Sequence, residues 1–265
     1  MKKKKRVASS IGMGFLVLFF YAPIIYTIIF SFNDSKSLTH FAGFSLRWYE
    51  KMFGDRTMME AVFYTIITAV LATVISTVVG TITAIGLSKS RKVVKTIVSQ
   101  INDLPIMNPE IVTAIGLLML YSATHIKKGF ITMLLAHIMF CTPYVILSII
   151  PKLRTLDENL ADAAMDLGAT PWQALIKVIV PQVKPGIVSG ALIAFTMSFD
   201  DFVISYFVTG NGVSNISILV YTMSKRVNPS INALSTLIIV IISIFLLIGN
   251  VVPALTKKKP VSAVD

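Results

Sequence analysis

The sequence predicts an all-α, polytopic membrane protein with about six transmembrane helices and one amphipathic helical insert. Three observations carry that reading. Hydrophobic residues make up 55% of the chain and charged residues only 14%, against about 25% charged in a typical soluble domain. Apolar runs of about 20 residues, enough to cross a hydrocarbon layer, recur from end to end. The lysines and arginines gather at the ends of those runs, which is how a bilayer distributes them. The net charge of +11 is therefore assigned to membrane edges, with lipid and not nucleic acid as the partner. The single cysteine, Cys141, excludes an intrachain disulfide and reads as a small packing residue.

Taken in order, the expected spans are Ile11–Phe32, Ala61–Leu87, Leu104–Ala123, Phe130–Ile150, Gly186–Val208 and Ala233–Leu255. The first follows a basic stretch, MKKKKR, but is long for a signal-peptide core and lacks a small-residue cleavage motif, so it reads as a retained span. The third is the weakest, because Pro105, Asn108, Pro109 and Glu110 stand at its start. Such a broken segment belongs in a cavity rather than in lipid. Orientation follows from the basic residues. With the N-terminus inside, the inner segments hold residues 2–6, Lys89, Arg91, Lys92, Lys95, Lys152, Arg154, Lys177, Lys184 and Lys257 to Lys259. The outer ones hold Lys36, Arg47, Lys51, Arg56, Lys127, Lys128, Lys225 and Arg226. This bias of about two to one predicts cytoplasmic N- and C-termini. The outer segment between the first two spans carries Phe41, Phe44, Trp48, Tyr49 and Phe53, as headgroup-level anchors or as a docking surface.

The insert lies in the inner segment 152–185. Thr155 and Glu158 have the spacing of a capping box, predicting a helix from Leu156 with Leu156, Leu160, Ala163, Ala164 and Leu167 on one face. Gly168 is placed to end it in the left-handed conformation. Thr170-Pro171-Trp172-Gln173 predicts a second capping box with proline at the tolerated first position. Trp172, Leu175, Ile176 and Ile179 form the apolar face of that second short helix, and Pro181 is expected to close it. Three roles fit such a pair. A DNA-binding helix-turn-helix is poorly served by one base, Lys177, in the second helix. A helix lying on an anionic bilayer is poorly served by Asp162 and Asp166. A knob for a groove on a cytoplasmic protein fits best.

The spacing of Asp162-Ala163-Ala164, Gly168, Val178, Val180 and Pro181 resembles the cytoplasmic loop of permease subunits of binding-protein-dependent ATP-binding-cassette importers. Those subunits write Glu-Ala-Ala, Gly and Ile-x-Leu-Pro at these positions, so Asp stands for Glu and Val for Ile and for Leu. GFSLRWYEKMF (43–53), SFDDFVISYFVTG (198–210) and YTMSKRVNPSINAL (221–234) resemble permeases of the spermidine/putrescine (PotC) type, and the likeness covers nearly the whole chain. The resemblance implies a MetI-like permease fold in a single domain, 1–265, in the plasma membrane. It implies that the loop couples to two cytoplasmic ATPases, and that a second homologous permease and an external polyamine-binding protein complete the transporter. The chain has no GxxxxGK[ST], so nothing in it can cradle nucleotide phosphates; ATP and Mg would be bound by the partner ATPases, and no cofactor, metal or catalytic residue is expected here.

Asp200 and Asp201 fall inside the expected fifth span, and Glu110 at the start of the third. A carboxylate within the apolar layer costs about 2.5–3.5 kcal/mol on insertion scales, so each needs a reason. One is a path for a cationic substrate, with aromatics such as Phe199, Phe202, Tyr206 and Phe207 at hand. The other is structural pairing; no span holds a Lys or Arg well inside it, so the partner would come from another subunit or a span end. On a continuous helix the two aspartates point about 100° apart, so one of them would face the path. His137, mid-span and four residues before Cys141, lacks the further ligands a metal site needs. A permease for another small cation or a metal ion, and a cation-coupled secondary transporter, are the alternatives. The latter calls for repeated broken spans and leaves the insert unexplained; a membrane enzyme lacks a nucleophile–base or metal constellation.

Overall fold

The computed structural model describes residues 2–37, 39–157, 159–224 and 228–256. It is helical throughout, with an isolated antiparallel bridge between Asn33 and Phe44. The chain forms two compact units, one from residues 1–59 and 220–265, the other from 60–219.

In the first unit, α1 (Lys2–Ser31) and α12 (Ser230–Thr256) pack together, and α2 (Arg47–Gly54) packs on α12. The segment between α1 and α2 is built around Asn33. Its Nδ2 donates to the carbonyls of Ser37 and His40, and its Oδ1 accepts from the backbone N–H of Ala42. Trp48 is 1% exposed and donates its indole N–H to the Asn33 carbonyl at 2.6 Å. It is a buried strut, whereas Phe41, Phe44 and Phe53 remain exposed. The five loop aromatics therefore do not share one role.

In the second unit, α3 (Arg56–Ser88), α5 (Glu110–Ala123), α6 (Phe130–Leu153) and α9 (Val180–Asp200) supply most of the apolar core, and α4 (Lys92–Met107) packs on α6 with the half-buried Val98 against that core. The short α10 (Val203–Val208) packs on α5 and α6, and α11 (Ile216–Ser224) follows it. The central contact is α6 on α9, where Gly186 and Gly190 leave no room for a Cβ against the α6 backbone. This small-xxx-small spacing lets two membrane helices approach closely.

Four helices among the described residues are long and apolar enough to cross a membrane: Gly12–Ser31, Arg56–Ser88, Phe130–Leu153 and Pro171–Asp200. The pair α4 and α5 makes a fifth candidate, bent by 106°. The third expected span is thus broken where Asn108 and Pro109 stand, and Lys92 and Lys95 before it already lie in helix α4. The fifth expected span needs correction. Its helix begins far earlier, at Pro171, and stops at Asp200, with Val203–Val208 a separate helix.

The insert also differs from its expected outline. The first helix is α7, Leu160–Asp166, with Asn159 at its N-cap position but no side-chain capping bond, and it does not start at Leu156. The Thr155 hydroxyl instead donates back to the Lys152 carbonyl at 2.8 Å, and its proposed partner Glu158 lies outside the described residues. Gly168 takes φ +91 and ends the helix in the left-handed region, as the sequence predicts. The second capping box forms as well: the Gln173 N–H donates to Thr170 Oγ1, and the Thr170 N–H to Gln173 Oε1. Pro181, however, closes nothing. Helix α8 (Pro171–Ala174) runs through a π turn at Leu175–Ile179 into α9, with the Val180 N–H bonded to the Leu175 carbonyl. A proline in a helix removes one N–H and crowds the preceding turn, and a widened turn just before it absorbs both effects.

Candidate functional site

The end of α9 gathers the polar side chains of the second unit. Asp200 is the last helical residue, and Asp201 leaves the helix with extended backbone at ψ 127. The two aspartates are therefore not neighbours on one helix face. Asp200 is exposed, and its carboxylate makes no hydrogen bond or ion pair among the described residues. Asp201 is buried, its side chain 5% exposed. Its Oδ2 accepts from the Ser205 N–H at 2.8 Å and from the Ser205 hydroxyl at 2.7 Å, and its Oδ1 from the Ile204 N–H at 3.3 Å. One carboxylate thus caps the opening turn of α10, where unpaired N–H groups and the helix dipole favour an anion.

Behind it stands His137 of α6, 1% exposed. Its Nε2 lies 2.9 Å from Ser205 Oγ and 3.5 Å from Asp201 Oδ2, and its Nδ1 lies 2.7 Å from Ser198 Oγ on α9. Asn215 completes the group. Its Nδ2 donates to the Asp201 carbonyl at 2.8 Å and to Ser205 Oγ at 2.9 Å, while its Oδ1 accepts from the Ile218 N–H and caps α11. The partners of Asp201 are therefore a mid-span histidine, the Ser205 hydroxyl and two backbone N–H groups of this chain, not a group from another subunit or a span end. Sequence reasoning missed Ser198, Ser205 and Asn215. The available signal was a lone histidine in an apolar run and a Ser-x-x-Asp-x-x-x-Ser spacing.

Glu110 opens α5, directly after the 106° bend, and is exposed. The Tyr121 hydroxyl donates to the Thr132 carbonyl at 3.2 Å, and the Thr132 hydroxyl to the Val208 carbonyl at 2.8 Å. The C-terminal ends of α5 and α10 are thereby held together. At 1.5 Å per residue, Glu110 lies about 17 Å before Tyr121 and Asp201 about 10 Å before Val208. Helices α5 and α10 pack on each other, and Glu110 opens the first while the 200–201 pair stands just before the second.

A second cluster is the insert. Asp162, Ala163 and Gly168 are exposed, Ala164, Val178 and Val180 half-buried, and Pro181 exposed. Leu167, Trp172 and Ile176 are also exposed, at 89%, 69% and 44%. Beneath α7 and α8 a cavity of about 730 Å³ opens between the ends of α3, α4 and α6, lined by Lys89, Arg154, Asp157 and Asp162 among others.

Residues 76–257 match the family model described as the inner membrane component of binding-protein-dependent transport systems. The chain belongs to this family of permease subunits. It is 39% identical over 229 residues to the putrescine transport system permease protein PotI of Escherichia coli K12, covering 83% of this chain and 82% of that one. It is 34% identical over 248 residues to the spermidine/putrescine transport system permease protein PotC of the same strain, covering 93% and 94%. Its fold resembles a chain of a crystallised bacterial ABC transporter that imports the acidic polysaccharide alginate, with a TM-score of 0.75, 16% identity and coverage of 96% and 97%. The permease is thus all-α and polytopic, a transport subunit of the spermidine/putrescine type by sequence likeness. The exposed carboxylates and the exposed insert belong to that transport subunit.

Proposed function

We propose that this permease translocates polyamines in an ATP-driven importer, with Glu110 and Asp200 as the acids along the path. The supporting observation is that both carboxylates are exposed at helix breaks, Glu110 opening α5 and Asp200 just before α10, two helices that pack on each other. A polyamine carries ammonium groups spaced by methylenes, so separated carboxylates with apolar walls between them match it. In a passage of low dielectric each attraction counts for more than it would in water. The likeness to permeases named for putrescine and spermidine points the same way. Asp201 serves the same path from behind, through the backbone it holds.

The insert is the coupling segment within 152–185, and Asp162, Ala163, Ala164, Gly168, Val178, Val180 and Pro181 form or support its contact with a cytoplasmic ATPase. Its exposed Leu167, Trp172 and Ile176 are the apolar anchors a groove would take. The working transporter joins this chain, acting as one six-span domain with both termini in the cytoplasm, to a second related permease, two ATPases that bind ATP and Mg, and an external polyamine-binding protein. Cycling of the ATPases shifts the path between outward and inward states through their unequal affinity for the two.

Labelled-polyamine uptake into vesicles holding the reconstituted transporter tests the reading. Asp200→Asn and Glu110→Gln each keep size and hydrogen-bonding capacity, and each is expected to cut uptake at low substrate at least tenfold with the complex still assembled. Wild-type uptake by the double variant removes both acids from the path.

A further inference from the structure

We infer that the buried group His137, Ser198, Asp201, Ser205 and Asn215 is a positioning device that fixes the helix break and aims the Asp200 carboxylate, without touching substrate itself. The inference rests on the reading of Asp200 as a path residue, but its own test does not depend on that reading.

The hydrogen inventory closes. Ser205 has one hydroxyl hydrogen, and it goes to Asp201 Oδ2. Both remaining acceptor sites of Ser205 Oγ then take hydrogens, one from Asn215 Nδ2 and one from His137 Nε2. The Nε2 atom of His137 therefore carries a proton, and Nδ1 pairs with Ser198 Oγ. The two Nδ2 hydrogens of Asn215 are both used, on Ser205 Oγ and on the Asp201 carbonyl. No polar side-chain atom of the group is left without a partner, and such networks hold one geometry where half-satisfied ones do not.

What the group holds is the backbone on either side of Asp200. Asn215 grips the Asp201 carbonyl, and the Ser217 hydroxyl donates to the carbonyl of Asp200 itself at 3.3 Å. The Asp201 carboxylate holds the first turn of α10, and His137 ties both sides of the break to α6 through Ser198 and Ser205. With Asp201 committed to these bonds, it is withdrawn from direct substrate contact, and the exposed Asp200 is the carboxylate presented.

A nitroxide placed at Asp200→Cys, in a Cys141→Ser background of the assembled transporter, reads the position directly. We expect an immobilised spectrum that turns mobile on Ser205→Ala or His137→Leu, while a nitroxide at Leu192→Cys on the same helix stays unchanged. His137→Gln, which keeps a donor near the Nε2 position, is expected to retain the immobilised spectrum. A spectrum at 200 that ignores Ser205→Ala and His137→Leu overturns the proposal, as does one that changes together with 192. Uptake supplies the second arm in the native Asp200 background. Ser205→Ala is expected to raise the KM for putrescine at least fivefold with little change in maximal rate, and to add nothing further to Asp200→Asn. Multiplying effects would give Asp201 and its network a role of their own and refute positioning. If Asp200→Asn transports normally, the substrate reading falls, and the spectra still decide whether the network fixes the break.

Discussion

The contact between α6 and α9 gives the most direct quantitative test of how this permease is held together. A Cβ added at Gly186 would lie 2.9 Å from the Ser148 carbonyl oxygen, 3.0 Å from Lys152 Cγ and 3.3 Å from Ile149 Cα. Comfortable separations are about 3.5–4.0 Å. Lys152 can swing aside, but the Ser148 and Ile149 atoms are backbone and move only with α6. Relief therefore requires the helices to part by about 0.5 Å, which forfeits a quarter or more of the well depth of neighbouring contacts. Overpacking of this kind costs about 1–3 kcal/mol. Replacing a helical glycine returns about 0.5–1 kcal/mol of backbone entropy. Gly186→Ala should thus lose roughly 0–2.5 kcal/mol, and Gly186→Ile about 3 kcal/mol or more, because its branched carbons meet the same backbone. Gly190, 3.0 Å from Val145 Cα by the same construction, should respond alike. The double alanine variant should lose less than the sum, since one wedge opens the space for the other. Gly86→Ala, with nothing within 4 Å, serves as the control and should be neutral or slightly stabilising. The assay is thermal unfolding of the assembled transporter in detergent, where each kcal/mol corresponds to about 2–4 °C for a chain of this size. A Gly186→Ile variant melting at the wild-type temperature, or a Gly86→Ala variant losing as much, would refute the close-packing argument.

At the insert, Gly168 sits at φ +91 and an added Cβ would meet nothing, so the cost of Gly168→Val is backbone strain alone, about 1–2 kcal/mol and larger for a β-branched residue. ATPase co-purification and transport should both fall, with Gly168→Asn retaining more of each; a Val variant that keeps its ATPase and a normal rate removes the turn from coupling. For topology, Cys141 is buried and donates to the Ala194 carbonyl at 3.4 Å, so Cys141→Ser keeps a donor and gives a quiet background. A cysteine at Ser10 should stay unlabelled by an impermeant reagent in intact cells, and labelling there would invert the proposed orientation.

The sequence carried the elements governed by local rules. Thr170, Gln173 and Gly168 act where their spacing places them, because caps and left-handed turns depend on a few neighbouring residues. The bend at Asn108–Pro109 was visible for the same reason. Composition found the apolar helices but not all their ends. Pro181 looked like a terminator, yet the tolerance of a π turn just before it was not written in the local sequence. The helix end at Asp200 was hidden as well, because the flanking residues are as apolar as those of a span. What stops the helix there is a set of long-range bonds from Ser217, Asn215 and His137, and no window of sequence brings those residues together. Asp201 illustrates the consequence. Read alone it was an unpaired charge in an apolar run; in the fold it is a helix cap.

That cap shows how a carboxylate can stand exposed in a membrane protein at all. A helix ending inside an apolar layer leaves carbonyls on one side and N–H groups on the other, each expensive without a partner. Here groups on both sides of the break find partners. The carbonyls of Asp200 and Asp201 accept from Ser217 and Asn215, the first turn of α10 is capped by the Asp201 carboxylate, and α11 begins with the Ile216 N–H on Thr65 Oγ1 and the Ile218 N–H on Asn215 Oδ1. Since the break asks nothing of Asp200's own side chain, that carboxylate is left with its bonding capacity unspent. Moving the same charge three residues back into the body of α9 would keep the Coulomb attraction for a cation but would give up the closed break that exposes it. The adjacent pair Asp200-Asp201 is therefore divided: one carboxylate satisfies the backbone, and the other stays exposed, as the proposed path requires.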